Sequence, residues 1–553
     1  MSLAKDLKKY TPRKEQNDVI DFIDKTYREN ISTRYFLFNL PTGIGKSYLS
    51  IMIANWYRKN VDKFAKVDIV TNSKILQDQY ADTFGSICDL KGKENYDCER
   101  YGCSCEQGLE FDKLNKSGCD ECPYKTARTT YIDGTLSLTN FYLYIINAVY
   151  NKNIMEKRDA KLLIVDEAHN FDDVMSNFIT IKITTNSIKR YKFKKEEELI
   201  ASFKKVSTLE SYISFINDYM IEINADIEKL DKKMSSKKRN AKQDALDIRI
   251  GKIMGDENKD LKTMKMMVEL KQLQSKLEIF TKEYANNPNN FLMETSYNEK
   301  TKEKEFSIEP LWAYDYLYKY VYSKYNMIIF MSGTILDKDI FCKLNGLDLD
   351  KTIYYSIQSP FDINHRPIYY MPVGKMSYAK KTETFTYYVK YIQALLDKYR
   401  DKKGIIHTNS FELAHWIEDK IKDNRLLFHD ASNKDEVLKI HKESNKPMVL
   451  VSPSMDTGVS FDDDTARFQI IAKIPYPSLS SQKNKLRKDN YPIWYSWKTV
   501  AGIIQMCGRP IRNEDDYADT IIIDECFGDV MRYSSQFMPE WFKNAIKKVN
   551  IKR

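Results

Sequence analysis

Four short segments carry side chains suited to handling a nucleoside triphosphate, and they follow one another in the order PTGIGKS, VDEAHN, MSGTIL, QMCGRPIR. In the first, Gly43 and Gly45 let the backbone turn its N–H groups onto phosphate oxygens, with Thr42 beside them. Lys46 reaches the β/γ oxygens and the Ser47 hydroxyl joins the Mg²⁺ shell. In the second, Asp166 and Glu167 divide two tasks: one carboxylate holds Mg²⁺, the part given to Asp166 with Ser47, and the other orients and deprotonates a water. His169 follows, placed to sense the γ-phosphate. In the last, Gln505, Arg509 and Arg512 recur every three to four residues, so a helix puts them on one face. Planar, permanently charged guanidinium groups stabilise charge developing on a transferred phosphoryl group, which lysine cannot match in geometry. A second chemistry lies between the first two segments. Six of the nine cysteines, Cys88, Cys98, Cys103, Cys105, Cys119 and Cys122, crowd into one window. C-x-x-C thiolates bind either zinc or an iron–sulfur cluster, and spacing does not separate the two.

These groups must be held by a sheet. PTGIGKS follows the apolar run Tyr35–Phe38 and precedes the helix-like SYLSIMIANWY, and the acidic pair follows the apolar run Leu162–Val165. Ligands of α/β sheets gather at such carboxyl ends of strands. Apolar runs alternate with helical patterns over 31–87 and 130–170, return at Met327–Met331, and recur beyond 365 as GIIHT, PMVLVS, FQIIAKI and TIIID. That alternation predicts two α/β domains with parallel sheets. After FDDVM the texture becomes Lys/Glu-rich with few glycines or prolines, which predicts a helical insertion. The expected division is 1–87, 131–170 and 321–364 for the first sheet domain, 88–130 for the cysteine-rich part, 171–320 for the insertion and 365–553 for the second sheet domain.

Taken together these residues resemble the iron–sulfur branch of superfamily 2 helicases typified by XPD and DinG, over most of the chain. RKEQ, with Arg13 and Gln16, is similar to that family's adenine-side segment, and VTNSKILQDQY to its motif Ia. LKGKENYDC and CPYKTAR resemble the flanks of its cluster domain, LTNFYLY the stretch before its DEAH box, and SPF at 359–361, GIIHTNSFE and RFQIIAKIPYP its second half. Leu40 departs from the family's small residue. In MDTGVSF, Thr457 and Ser460 stand where acidic residues are common, while Gly458 joins the nucleotide-binding set. The resemblance implies two RecA-like motor domains, an Arch-like insertion, and a 4Fe–4S cluster on Cys98, Cys119 and Cys122 with Cys105 fourth, Cys103 being the alternative to Cys105 and Zn²⁺ the alternative metal. It further implies an ATP- and Mg²⁺-dependent DNA helicase moving 5′→3′ on single-stranded DNA and opening forks or other tailed duplexes, RNA not being excluded. Thr71, Asn72, Thr408, Asn409 and Ser410 are the candidates for gripping the strand. The competing expectation is a nucleic-acid-stimulated translocase that remodels protein–nucleic-acid complexes without processive unwinding and carries structural zinc.

Composition fits these expectations. A chain of 553 residues with 42% hydrophobic content supports several packed cores. Lys plus Arg is 87 against 78 acidic residues, giving +9, which suits a polyanionic partner without requiring one. MSLAKDLKKY is charged rather than apolar, and no apolar run approaches the roughly 20 residues that span a bilayer. The expectation is a monomeric cytoplasmic protein without a membrane partner. Among the 38 tyrosines, Tyr96, Tyr101 and Tyr124 near the cysteines are candidates for stacking on bases.

Overall fold

The computed structural model describes residues 10–100, 103–109, 122–235, 259–298, 303–430, 432–453, 461, 463–511, 513 and 515–551. Its strands are β1 (Tyr35–Asn39), β2 (Val67–Thr71), β3 (Cys88–Asp89), β4 (Asp97–Cys98), β5 (Cys103–Ser104), β6 (Leu136–Asn140), β7 (Leu162–Asp166), β8 (Ile181–Thr184), β9 (Phe291–Asn298), β10 (Glu303–Pro310), β11 (Met327–Ser332) and β12 (Thr352–Ser356) in the first two thirds. The remainder supplies β13 (Ile368–Gly374), β14 (Gly404–His407), β15 (Leu426–Phe428), β16 (Val449–Ser452), β17 (Phe468–Ile471), β18 (Asp519–Asp524) and β19 (Ile546–Lys548).

Two parallel seven-stranded sheets result, ordered β12-β1-β11-β7-β2-β6-β3 and β15-β16-β14-β17-β18-β13-β19. β1, β2, β6, β7 and β11 are buried along their whole length, which explains their unbroken apolar runs: a parallel sheet is covered on both faces. β1 lies beside β11 and β11 beside β7 in register, with Asn39 opposite Ser332 and Met331 opposite Asp166. The phosphate loop, the SGT segment and the acidic pair therefore leave one edge of the sheet side by side.

Two borders differ from the sequence reading. Cys88 belongs to the motor sheet, since β3 pairs with β6 through Cys88 and Ser137. The insertion is also more than helices. Its long helices Leu209–Ser235 and Lys259–Asn286 pack with an antiparallel sheet ordered β8-β10-β9, around Phe215, Tyr219, Leu270, Leu277 and Phe306. The strand β10, EKEFSIEP, hides its alternation within charged sequence. Both ends of the 171–320 stretch enter the first motor's core, through Phe171, Met175 and Phe178 at one end and Tyr316, Leu317 and Tyr320 at the other.

The helices used below are α1 (Lys14–Glu29), α2 (Lys46–Asn60), α3 (Lys74–Thr83), α4 (Pro123–Asp133), α5 (Lys152–Arg158), α6 (Phe171–Ile179), α7 (Gln482–Asn490) and α8 (Pro492–Cys507). α7 and α8 bind the motors together. Trp497 Nε1 donates to Ile335 O at 2.9 Å, Lys498 Nζ lies 2.7 Å from Asp173 Oδ2, and Arg487 Nε donates to Leu311 O at 2.7 Å.

Beneath the first sheet a charged pair is fully buried. Arg158 Nε is 2.8 Å from Asp68 Oδ1, and Tyr325 Oη donates to Asp68 Oδ2 at 2.6 Å. The other guanidinium nitrogens take the carbonyls of Val67, Ile132 and Gly134, so the ions are paired and hydrogen-bonded as burial demands.

Candidate nucleotide cleft and cysteine centre

Gly43 and Gly45 both have left-handed backbones, φ 82° and 80°, the conformation that turns the phosphate loop and that side chains disfavour. Space reinforces the need at Gly45, where an added Cβ would meet Gln16 Nε2 at 2.6 Å. That amide donates to Ile44 O and Gly45 O at 3.0 Å each, while Gln16 Oε1 accepts from Tyr10 Oη at 2.8 Å and Arg13 N at 2.9 Å. The Arg13 guanidinium takes Gly43 O, and Tyr10 stacks on Tyr48 with centroids 3.7 Å apart. Both RKEQ side chains thus hold the loop's carbonyls. Leu40 is wholly buried and packs with Ile44 and Leu49, so its place is filled by core packing.

Lys46 Nζ, at the start of α2, stands 3.4 Å from Glu167 Oε1. Glu167 has φ 58°, a strained value for a non-glycine residue of the kind that clusters at functional sites. Asp166 is 1% exposed. Burial, and then the neighbouring Glu167 charge, push its carboxyl up to about 6 against the pull of Lys46 and Tyr80. Tyr80 Oη donates to Asp166 Oδ2 at 2.9 Å and lies 2.9 Å from Ser50 Oγ. Burial lowers the His169 imidazole to about 4, so it is neutral at pH 7. Its Nδ1 lies 2.8 Å from Ser332 Oγ, Ser332 Oγ lies 3.3 Å from Thr334 Oγ1, and Gln505 Nε2 donates to Thr334 Oγ1 at 2.9 Å.

The expected single helical face for Gln505, Arg509 and Arg512 does not form. α8 ends at Cys507, because Gly508 and Pro510 close the helix. Arg509 therefore sits in the following turn, 9% exposed, and Arg512 lies outside the described residues, as does Gly458. Thr42 Oγ1 donates to Gly508 O at 3.3 Å, joining the phosphate loop to that turn. A cavity of ≈ 420 Å³ opens between the motors, with Thr42, Glu167 and His169 on one wall and Gln505 and Arg509 on the other. Residues from all four of the opening segments thus line one space.

The strand-gripping candidates divide. Asn72 lines the same cavity. Thr71 and Thr408 are fully buried, and their hydroxyls turn back to Ser73 O at 3.2 Å and Ser410 O at 3.0 Å. Asn409, with φ 46°, donates to Lys473 O at 2.6 Å, and Ser410 Oγ caps the next helix at Leu413 N. Side chains committed in this way leave backbone groups to meet a ligand. Sequence reasoning passed over Tyr10, Tyr80, Ser332 and Thr334 as site residues. Only the last two carried a signal, their position at the end of β11.

β4 and β5 form a hairpin that sets Cys98 opposite Cys103. Cys105 Sγ and Cys122 Sγ are 3.8 Å apart, and Cys98, Cys105 and Cys122 are buried with Tyr124 and Tyr131. Burial and then the neighbouring thiols push Cys103 up to about 12. Cys119 and Tyr101 lie outside the described residues. Among the described residues no group of three His, Cys, Asp or Glu is arranged to hold a metal ion. Tyr96 and Tyr124 meet edge to face at 5.8 Å, Tyr124 being core at 4% exposure.

Two parallel seven-stranded sheets with a cavity between them are the architecture of a two-domain α/β protein. The family model described as Type III restriction enzyme, res subunit, matches residues 9–196, and that described as Helicase C-terminal domain matches 392–545. ATP-dependent DNA helicase CHL1 of Vanderwaltozyma polyspora is 19% identical over 515 residues, covering 77% of this chain and 58% of its own. The regulator of telomere elongation helicase 1 homolog of Caenorhabditis briggsae is 27% identical over 110 residues, 16% of this chain and 10% of its own. The chain thus spans less than two thirds of these relatives. A solved XPD helicase superposes with a TM-score of 0.62 at 16% identity over 98% of this chain and all of that one, and S. tokodaii Xpd4 with 0.57 at 14% over 97% of this chain and all of that one. In these matches the chain is similar to XPD/DinG-like superfamily 2 helicases. Among the described residues no helix is long and apolar enough to cross a membrane.

Proposed function

We propose that the chain is an ATP-dependent DNA helicase that moves 5′→3′ on single-stranded DNA. The observation that carries this reading is the placement of Thr42, Glu167 and His169 across one cavity from Gln505 and Arg509. ATP binds in that cleft, with Lys46 on the β/γ oxygens and Ser47 and Asp166 toward Mg²⁺. Glu167 activates the water, and Arg509, with Arg512, meets charge developing on the γ-phosphoryl group. Because the groups belong to two domains, closing the cleft assembles the site and opening it releases product. Asn72 on one motor and the amides at Thr408, Asn409 and Ser410 on the other then take turns holding the strand.

A second cavity, ≈ 1030 Å³, supports a collar for that strand. Its walls come from the cysteine segment at Lys93, Tyr124 and Arg128, from the first motor at Asn140, and from the insertion at Lys271 and Gln272. In donor chemistry the cysteines suit a thiolate-bound group: Cys98, Cys105 and Cys122, of which only Cys105 and Cys122 are in contact here, would hold it with Cys119, and it would cross-link the collar. Either a 4Fe–4S cluster or zinc has the required chemistry. The 3.8 Å between Cys105 and Cys122 Sγ is close to the ~3.8 Å edge of a sulfur tetrahedron around zinc at Zn–S ≈ 2.3 Å.

The test is strand separation by anaerobically purified protein on duplexes with either a 5′ or a 3′ tail, with Lys46→Ala as control. Opening of the 5′-tailed duplex alone, abolished by Lys46→Ala, is the expected result. ATP turnover that clears a bound protein from single strands yet leaves every duplex intact would replace unwinding by remodelling.

A further inference from the structure

One buried cation in the cleft is not accounted for by the acidic pair, the phosphate loop or Arg509. Arg366 precedes β13, is 6% exposed, and lines the inter-motor cavity together with Arg509. Its guanidinium lies 4.1 Å from the centroid of the Trp541 ring, and one Nη donates to Phe361 O at 2.9 Å. Its Nε is buried with no hydrogen-bond partner, and among the described residues no carboxylate forms an ion pair with it. Desolvation lowers its pKa to about 10 against a weak pull from Asp362. A guanidinium taken out of water is costly unless paired, so this one is positioned at an expense that the protein's own described contacts do not offset.

The surroundings indicate what completes it. Phe361 packs with Ile511 and Ala518, and Ala518 N donates to His365 O at 2.9 Å, so Arg366 is fixed to the segment that carries Arg509. That segment is joined to the phosphate loop through Thr42. An anion facing Thr42, Glu167 and Arg509 therefore lies in the same cavity as Arg366. We propose that Arg366 is a further nucleotide-binding residue, which donates to the phosphate chain of the nucleoside triphosphate from the second motor and is held for that purpose by stacking on Trp541. Planar stacking on one face and donors at the edge are what distinguish arginine from lysine in this role.

The inference rests on the nucleotide cleft proposed above, and the test separates the two. Steady-state ATP turnover and the rise in Tm caused by Mg²⁺ with a non-hydrolysable ATP analogue are measured for the wild type, Arg366→Gln and Arg366→Lys. The expected result for Arg366→Gln is a KM for ATP raised at least about tenfold, as for loss of one charged hydrogen bond. The analogue's Tm rise should be largely lost while nucleotide-free binding of single-stranded DNA stays at the wild-type value, and Arg366→Lys should recover part of the KM. A lowered Tm with KM and the analogue's Tm rise unchanged would make Arg366 a packing residue and overturn the proposal. If Arg366→Gln does not fold, an unchanged KM in Arg366→Lys overturns it equally. A wild type that neither binds nor hydrolyses ATP removes the cleft itself, and is seen before any variant is compared.

Discussion

Gln505 Nε2 of the second motor donates to Thr334 Oγ1 of the first at 2.9 Å, and Thr334 is one hydroxyl away from Ser332, which meets His169. This line of side chains starts beside the acidic pair and ends on the helix leading to Arg509. It gives the state of one motor a direct contact with the other. Gln505→Ala and Thr334→Val should each lower ATP turnover, by about tenfold or more with DNA and by a smaller factor without it, since the pair both lines the cavity and couples the domains. Equal losses with and without DNA would show that the pair serves the chemistry alone.

Tyr80 donates to a carboxylate whose burial already makes ionisation costly. Removing the donor in Tyr80→Phe disfavours the charged form, so the Asp166 pKa rises further. In the Mg²⁺-free protein, the Asp166 carboxyl, near 6 in the wild type, should titrate about one pH unit higher in Tyr80→Phe, as followed by its carboxyl chemical shift. Stability carries the same sign. A carboxyl raised from 3.8 to about 6 contributes stability present below its unfolded pKa, and this is lost as pH rises through the interval. Urea midpoints of Asp166→Asn, compared with wild type across that interval, should fall less with rising pH. A parallel pair of curves would count against the assignment.

Beneath the sheet, Asp68→Ala leaves Arg158 charged, buried and short of its partner. The expected loss is about 3–5 kcal/mol, the cost of breaking a buried pair from one side. Asp68→Leu with Arg158→Met removes both charges and should recover much of it. Chemical denaturation of the wild type and the two variants decides, and a double variant no better than the single one would mean that the hydrogen bonds to Ile132, Gly134 and Val67 matter more than the charges.

Metal removal should divide the activities. Cys105→Ser and Cys122→Ser are expected to lower bound metal, whichever it is, and to abolish duplex opening while DNA-free ATP turnover stays within about twofold, because the cleft lies in the motors. Iron, sulfide and zinc contents alongside turnover provide the check. Loss of DNA-free turnover as well would make the cysteine segment part of the motor's own fold.

The sheets and the loops at their edges were legible because they are local: an apolar run followed by a loop of fixed composition marks a strand and its edge within about a dozen residues. What was hidden depends on partners far away in the chain. Gln505 and Thr334 are separated by 171 positions, and no pattern in either segment announces their meeting. Tyr80 reads as an ordinary residue of α3 until β7 brings Asp166 beneath it. The missed strand β10 fails for a different reason: Glu303, Lys304, Glu305 and Glu309 set charges around its few apolar positions, and the charge pattern outweighs the alternation. Arg509 was found, but its place on a helix was not, because Gly508 and Pro510 close α8 one turn early.

Arg158 joins two elements that do different work. On one side it takes the carbonyls at the end of α4, the helix by which the chain leaves the cysteine segment. On the other it takes the carboxylate and carbonyl of β2, whose far end carries Thr71 and Asn72. A pull on the cysteine segment is therefore passed through Arg158 into β2, the strand of the first sheet that ends at Thr71 and Asn72; under the proposed function, that link would carry load from the cysteine segment to the sheet with little bending between them.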